Sequence, residues 1–411
     1  MYESKVTNIS KYKHDIGEYE MITNNFIFQN TTKIYFGNEQ LVYLPQEVKK
    51  YGNRVLLTYG GGSIKRTGLY DKILKVLIEA GLTVFEFGGI EPNPRHTTVN
   101  QGVKICIEKD IDVLLAVGGG STIDCTKIIA AARYYKGDSW DLIIHKAEIK
   151  KAMPLLTVLT LAATGSEMDN AAVISNVETK QKIGLLHPLL QPTASFLDPE
   201  NTYTVNSFQT AAGSADIMAH IFDVCYFNRY PKMDMLDKVM EAVLKTVVKY
   251  APIAVKIPDD YEARSNLMWA SSWALNGFLQ GGPRQMTTCH AMEHELSAFY
   301  DITHGLGLAI IIPRWMEYIL DNQTAKDIKK FGVNVFGLSA DTTDMNGAKS
   351  AIQRLKKFFY EELGLQSRLS DLGIDCRNFS IMAEKACRGD KIMGYRDLTP
   401  KDVEKIFEMC L

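Results

Sequence analysis

Three of the chain's eight histidines, His290, His294 and His304, fall within the stretch "CHAMEHELSAFYDITHG", which runs from Cys289 to Gly305. An imidazole carries a lone pair for a metal ion and exchanges a proton near neutral pH, so a cluster this dense points to a metal site or an acid–base site. His290 and His294 are four residues apart and share one helix face; His304 follows "YDIT", whose Thr303 is placed to cap the next helix. Upstream, "SADIMAH" sets Asp216 and His220 at the same interval. Alone, that pair reads as an ion pair or a packed histidine. With the downstream cluster, one carboxylate and three imidazoles suit a borderline divalent ion such as Fe2+ or Zn2+, held between facing helices. Spacing leaves open whether His290 or His294 is the ligand, because both leave the same face. Cys289 points about 100° away around the helix and is assigned to the core.

A second chemistry is written in glycine. "LLAVGGGSTIDCTK" places Gly118, Gly119, Gly120 and Ser121 between an apolar strand and a helix start. Bare backbone N–H groups at a helix N-terminus form an anion site suited to a dinucleotide pyrophosphate. The plain alternative is a tight turn capped by Ser121, and no G-x-G-x-x-G is present. A second cluster, "YGGGSIKRTG" from Tyr59 to Gly68, follows an earlier strand. Two such loops at the C-terminal ends of successive parallel strands lie where open α/β sheets bind ligands. No acid stands between Thr58 and Gly68 to receive the ribose hydroxyls, whereas Ser63, Lys65 and Arg66 suit a 2′-phosphate. The loop therefore favours NADP(H) over NAD(H), with a solvated Lys-Arg pair as the bland reading.

These residues need elements to hold them. From Arg54 to about Asp198, short apolar runs ("RVLLTY", "LTVFEF", "IDVLLAV", "PLLTVLT") alternate with helical segments such as "TGLYDKILKVLIEAG", the pattern of a Rossmann-like parallel sheet with crossover helices. After "LDPENTYTV" the strand signals fade. Long helices follow, among them "FQTAAGSADIMAHIFDVCYF" and "GAKSAIQRLKKFFYEELG". The expected organisation is a polar extension over 1–20, a dinucleotide-binding α/β domain over 21–201, and a helical metal- and substrate-binding domain over 202–411.

Composition removes several partners. Lysine plus arginine number 46 against 48 acidic residues, with no basic block to track a phosphate backbone, so nucleic acid is excluded as the expected partner. Apolar runs fall short of a membrane span. Seven scattered cysteines without a C-x-x-C pair read as reduced thiols, which places the chain in the cytoplasm.

The combination of "YGGGSIKRTG", "EPNPR", "AVGGGSTIDCTK", "LTLAATGSE", "LDPE", "DIMAH" and "HAMEHELSAFYDITHG" resembles the iron-containing, metal-dependent type III alcohol dehydrogenases, in their NAD(P)H-dependent butanol dehydrogenase branch. The resemblance covers the chain from Met21 onward. It implies a dehydroquinate synthase-like fold with the active site between the two domains, in a homodimer. It implies Asp216, His220, His290 and His304 as metal ligands, leaving His294 unbound beside the substrate. By the same carry-over Gly118, Gly119, Gly120 and Ser121 would take the pyrophosphate, Thr157, Thr160 and Lys182 the nucleotide and its ribose, and Gly61, Gly62 and Ser63 the adenosine end. Reduction of a small aliphatic aldehyde follows, with His294 as the candidate proton relay. The alternatives are a dehydroquinate synthase-like lyase, which needs a Lys/Arg cluster for a phosphorylated substrate, a glycerol dehydrogenase-like polyol oxidoreductase, and a structural metal protein. Around the histidines the sequence offers Trp269, Trp273, Leu275, Phe278, Leu279, Phe299 and Tyr300 as pocket walls.

Overall fold

Apolar runs without alternation mark strands buried on both faces, and they set the sheet. The computed structural model describes residues 26–229, 233–281 and 287–411; the proposed extension over 1–20 lies outside them. Its strands are β1 (Lys33–Phe36), β2 (Arg54–Tyr59), β3 (Thr83–Phe87), β4 (Val113–Gly118), β5 (Leu155–Leu159), β6 (Ala171–Asn176), β7 (Gln181–Leu186) and β8 (Ala194–Leu197). Six form one parallel sheet in the order β1-β8-β5-β4-β2-β3. All of β4 and β5 is buried.

The period of two divides the strand residues between two cores. Leu56, Leu114 and Ala116 pack with the helices His96–Glu108 and Gly120–Ala132, while Val55, Leu57, Val113 and Leu115 pack with Leu69–Glu79. Each leucine buried this way contributes roughly 1.5–3 kcal/mol. In that last helix Leu69, Ile73 and Leu77, four residues apart, are buried on one face, while Ile78 is exposed.

Strand order reverses between β2 and β4: β2 leads outward to β3, and β4 leads the other way to β5 and β8. Tyr59 faces Val117, and Gly118 faces Leu159. The loops after β2, β4 and β5 thus open together at the switch point, where such sheets bind their ligands.

The antiparallel hairpin β6–β7 has no counterpart in the sequence reading. Its base is tied down by Lys127, whose fully buried Nζ donates to Asp169 Oδ1 at 2.6 Å and to the carbonyl of Ala171 at 2.8 Å.

Beyond β8 the chain is helical, from Ser207–Ile221 to Pro400–Met409, apart from the two-residue strands Ile392–Met393 and Asp397–Leu398. Leu244, Ile311, Trp315, Phe331, Leu355 and Phe407 lie in its core. Two glycines set how closely the first of these helices is approached. A Cβ on Gly213 would collide with the carbonyl of Ala162 in the loop after β5, and one on Gly305 with the carbonyl of Ala212. Absence of both side chains lets the Ser207–Ile221 helix dock on the sheet domain and lets the His304–Tyr318 helix cross it at backbone contact.

Candidate active site

Asn206 caps the Ser207–Ile221 helix by accepting from Gln209 N–H, and the helical repeat then projects Asp216 and His220 from one buried face. His290 comes from the first turn of Thr288–Tyr300, and His304 opens His304–Tyr318. Thr303 stands at the N-cap position of that last helix, but its side chain makes no capping bond. Three imidazoles converge on one carboxylate oxygen. His220 Nε2 and His304 Nε2 are each 3.7 Å from Asp216 Oδ1, and His290 Nε2 is 4.0 Å away. His294 does not join them; its ring centroid lies 5.6 Å from that of His304, on the wall of the adjoining cavity. Cys289 is buried in the core, as expected.

Two carboxylates that sequence reasoning missed hold these rings. Asp223 Oδ2 is 2.9 Å from His290 Nδ1 and accepts the His290 backbone N–H at 2.9 Å; its Oδ1 accepts Thr288 N–H at 2.7 Å. One side chain thereby caps the Thr288–Tyr300 helix and turns His290 Nε2 toward Asp216. Glu293, fully buried, does the same for His304 through Nδ1 and also accepts from Ser297. Lys182, from β7, reaches Glu293 Oε2 and His304 Nδ1 at 3.4 Å.

A cleft of about 500 Å³ runs from the glycine loops to this cluster. Gly61, Gly62, Ser63, Gly118, Gly119, Gly120, Ser121 and Thr160 all line it, and Asp216 and His304 close its far end. A second cavity of about 440 Å³ continues past the histidines between the β6–β7 hairpin and the helices. Asn93, Ser121, Thr164 and His304 border both. Asn93 also donates to Asp301 Oδ1 at 2.8 Å, joining the two halves beside the cleft.

Residues 31–199 match the iron-containing alcohol dehydrogenase profile, and residues 210–411 match the C-terminal profile of the Fe-containing alcohol dehydrogenases. The chain belongs to the iron-containing alcohol dehydrogenase family. It is 49% identical to NADH-dependent butanol dehydrogenase B of Clostridium acetobutylicum, over 93% of this chain and 99% of that one. It is 38% identical to the NADPH-dependent aldehyde reductase YqhD of Escherichia coli, over 88% and 92%. The crystal structure of NADH-dependent butanol dehydrogenase A from Thermotoga maritima superposes with a TM-score of 0.88 at 34% identity, covering 96% of this chain and all of that one.

The donor set of this alcohol dehydrogenase fits a divalent ion. Asp216 Oδ1 and His290 Nε2 are buried and make no hydrogen bond, and their separation is too long for one. Donor atoms of Asp216, His220 and His290 all lie within 4.8 Å of one another, close enough to share one ion, while His304 meets this set through Asp216 Oδ1 and otherwise groups with Glu293 and His294. Burial pushes the Asp216 carboxyl up to about 7, against the pull of His290, and a cation there would restore its charge. Burial, and then Lys182, holds His294 and His304 well below the ordinary histidine range, although His304 keeps 22% of its side chain open to the cleft. Neutral imidazoles are the metal-binding form.

The other expected residues of this dehydrogenase lie at different distances from the cleft. Thr157 lies two residues inside the end of β5, is fully buried and does not line the cleft; the chain turns outward only at Thr160. Lys182 lines the second cavity beside Glu293 and His304, the end to which a nicotinamide would have to reach, so its expected contact with the nucleotide ribose stands as a proposal. Of the cationic loop residues, Arg66 lines the cleft, whereas Lys65 turns to Glu86 on β3 at 2.9 Å. Of the seven proposed pocket-wall residues Leu275 alone faces the second cavity; Trp269, Trp273 and Phe278 pack in a chain of edge contacts ending on Phe28.

Proposed function

We propose that this enzyme reversibly reduces small aliphatic aldehydes of the butanal type to primary alcohols with a nicotinamide cofactor. The observation that carries the reading is the meeting of three Nε2 atoms on Asp216 Oδ1 at the end of a cleft that begins in two glycine loops. Relatives named butanol dehydrogenase and aldehyde reductase support the substrate class. NADP(H) is favoured by Ser63 and Arg66 in the cleft, and the NADH-dependent relatives keep NAD(H) as the comparison.

Asp216, His220, His290 and His304 would hold Fe2+ or Zn2+. When bound, the ion supplies a Lewis acid for the substrate oxygen, and the nicotinamide supplies the hydride. The chain's own work is positioning and proton traffic. Asp223 and Glu293 fix the tautomers of His290 and His304, so that each offers Nε2 to the cluster. Val224, Leu275 and Ala291 form an apolar wall that sheds water from the reacting carbon. His294 lines that cavity outside the donor set and is assigned to carry the proton between the substrate oxygen and solvent.

The same reading places the enzyme in the cytoplasm as a homodimer. Among the described residues, which include all seven cysteines, there is no disulfide, in keeping with a reducing compartment. No described helix is long and apolar enough to cross a membrane.

The deciding experiment follows oxidation of NADPH and of NADH with butanal, using anaerobically purified protein, a chelated sample, and that sample with Fe2+ or Zn2+ restored. Turnover lost with the chelator and regained with one ion is expected. Undiminished turnover in the chelated sample would remove the metal from the mechanism.

A further inference from the structure

Apart from its histidines, the second cavity is lined by four acidic or basic side chains: Asp124, Asp169, Lys182 and Arg388. Three are engaged. Asp124 accepts from Ser166 Oγ at 2.6 Å and Val173 N–H at 2.8 Å, Asp169 pairs with Lys127, and Lys182 serves Glu293 and His304. Arg388 is different: its guanidinium has no hydrogen-bond or ion-pair partner among the described residues, although Glu384 and Asp390 are near it in sequence.

Its backbone is also unusual. Arg388 follows the Phe379–Ala386 helix at φ 53°, the left-handed conformation that helix ends normally give to glycine or asparagine. Its N–H still closes the helix on Lys385 O at 3.0 Å. Lys385 in turn donates to the carbonyls of Thr179 and Lys180 at the tip of the β6–β7 hairpin and lies 3.5 Å from Glu295. These bonds seat the helix end on the hairpin, so Arg388 stands at the solvent rim of the cavity whose floor is the histidine cluster.

An unpaired guanidinium at the open end of a cavity whose other end holds the reacting carbonyl is suited to a second, anionic group on the same substrate. We propose that Arg388 selects aldehydes bearing a remote carboxylate, so that ω-oxo acids are better substrates than uncharged aldehydes of equal chain length. This rests on the aldehyde-reductase reading and deepens it.

The test is steady-state kinetics of the metal-loaded enzyme on butanal and on 4-oxobutanoate, for wild type, Arg388→Gln and Arg388→Lys. Wild type is expected to show the higher kcat/KM with 4-oxobutanoate. Arg388→Gln should lower that value about tenfold to a hundredfold, mainly through KM, as expected for loss of a charge-assisted hydrogen bond. Butanal should change by less than about twofold, and Arg388→Lys should recover part of the loss. Added salt should raise the wild-type KM for 4-oxobutanoate and leave that for butanal unchanged. Equal losses on both aldehydes, or no wild-type preference for 4-oxobutanoate, would overturn the assignment. Turnover of butanal alone sinks this proposal and spares the aldehyde reading, whereas turnover of neither aldehyde sinks both.

Discussion

Asp223 is the side chain on which the histidine cluster most depends without belonging to it. It holds His290 by ring and backbone and supplies the cap that Thr287 does not make. Partners that orient a ligand imidazole typically contribute 10–100-fold to metal affinity. Asp223→Ala is therefore expected to raise the metal dissociation constant by about 10–100-fold, measured by competition with a chromogenic chelator on the purified protein. Metal affinity equal to wild type would show that His290 finds its orientation unaided. The ligand types were legible in the sequence, because i,i+4 pairs of Asp and His declare a shared face. Asp223 was legible in hindsight only: it follows Asp216 by seven residues, two helical turns, yet it lies in the π-helical turn Phe222–Tyr226, where the regular repeat no longer tells which way a side chain points. Glu293 stood inside the quoted motif, but no spacing rule says that its neighbour in space is His304.

Between elements, the loop after β5 is joined to the Tyr261–Ala274 helix by a buried acid. Glu167 accepts from Ser272 Oγ, and its backbone carbonyl accepts from Ser195 Oγ at 2.6 Å on β8. Burial pushes this carboxyl up to about 7 from an ordinary 4.5, more than Ser272 lowers it. Its folded pKa lies above its unfolded one, so the folded chain holds the proton more tightly. The stability this confers is complete below about pH 4.5 and lost as pH rises through about 7. Glu167→Gln keeps an acceptor for Ser272 and cannot ionise. In thermal melts it is expected to exceed wild type by roughly 1–3 kcal/mol near pH 8, an advantage that fades toward pH 4.5. A pH-independent difference would mean that Glu167 stays ionised in the fold. The elements themselves were largely readable: "RVLLTY", "LTVFEF", "IDVLLAV" and "PLLTVLT" each became a strand of the parallel sheet, since unalternating apolar runs between glycine-bounded helices have few other solutions. The β6–β7 hairpin escaped because the face it turns to the second cavity carries Ala171, Val173, Lys182, Gly184 and Leu186, a mixture of small, apolar and charged side chains, so its period of two does not show as an alternation of apolar and polar residues. The aromatic residues were named because they lie in the helical half around the histidines, and nearness along the chain does not say which side of a helix faces the substrate.

At the scale of the molecule, the two chemistries are divided between the two halves. All four candidate ligands lie between Asp216 and His304 in the helical half, and the glycine loops close β2 and β4 in the other. Lys182 is the described residue of the sheet domain that reaches Glu293 and His304 directly, while Asn93 and Asp301 clasp the halves beside the cleft. Metal and dinucleotide should then be separable. Chelated enzyme is expected to lose turnover yet bind the reduced dinucleotide within about threefold of the metal-loaded affinity, since sites with few shared partners couple weakly; nicotinamide fluorescence titration measures this. Thermal stability should move differently, because an ion that binds the folded helical half alone adds about 2.7 kcal/mol at a hundredfold excess over its dissociation constant. A chelated protein that melts earlier but still binds dinucleotide fits two half-sites brought together by the close approach of Gly213 to Ala162. Loss of dinucleotide binding along with the metal would mean instead that the cluster organises the whole cleft, glycine loops included.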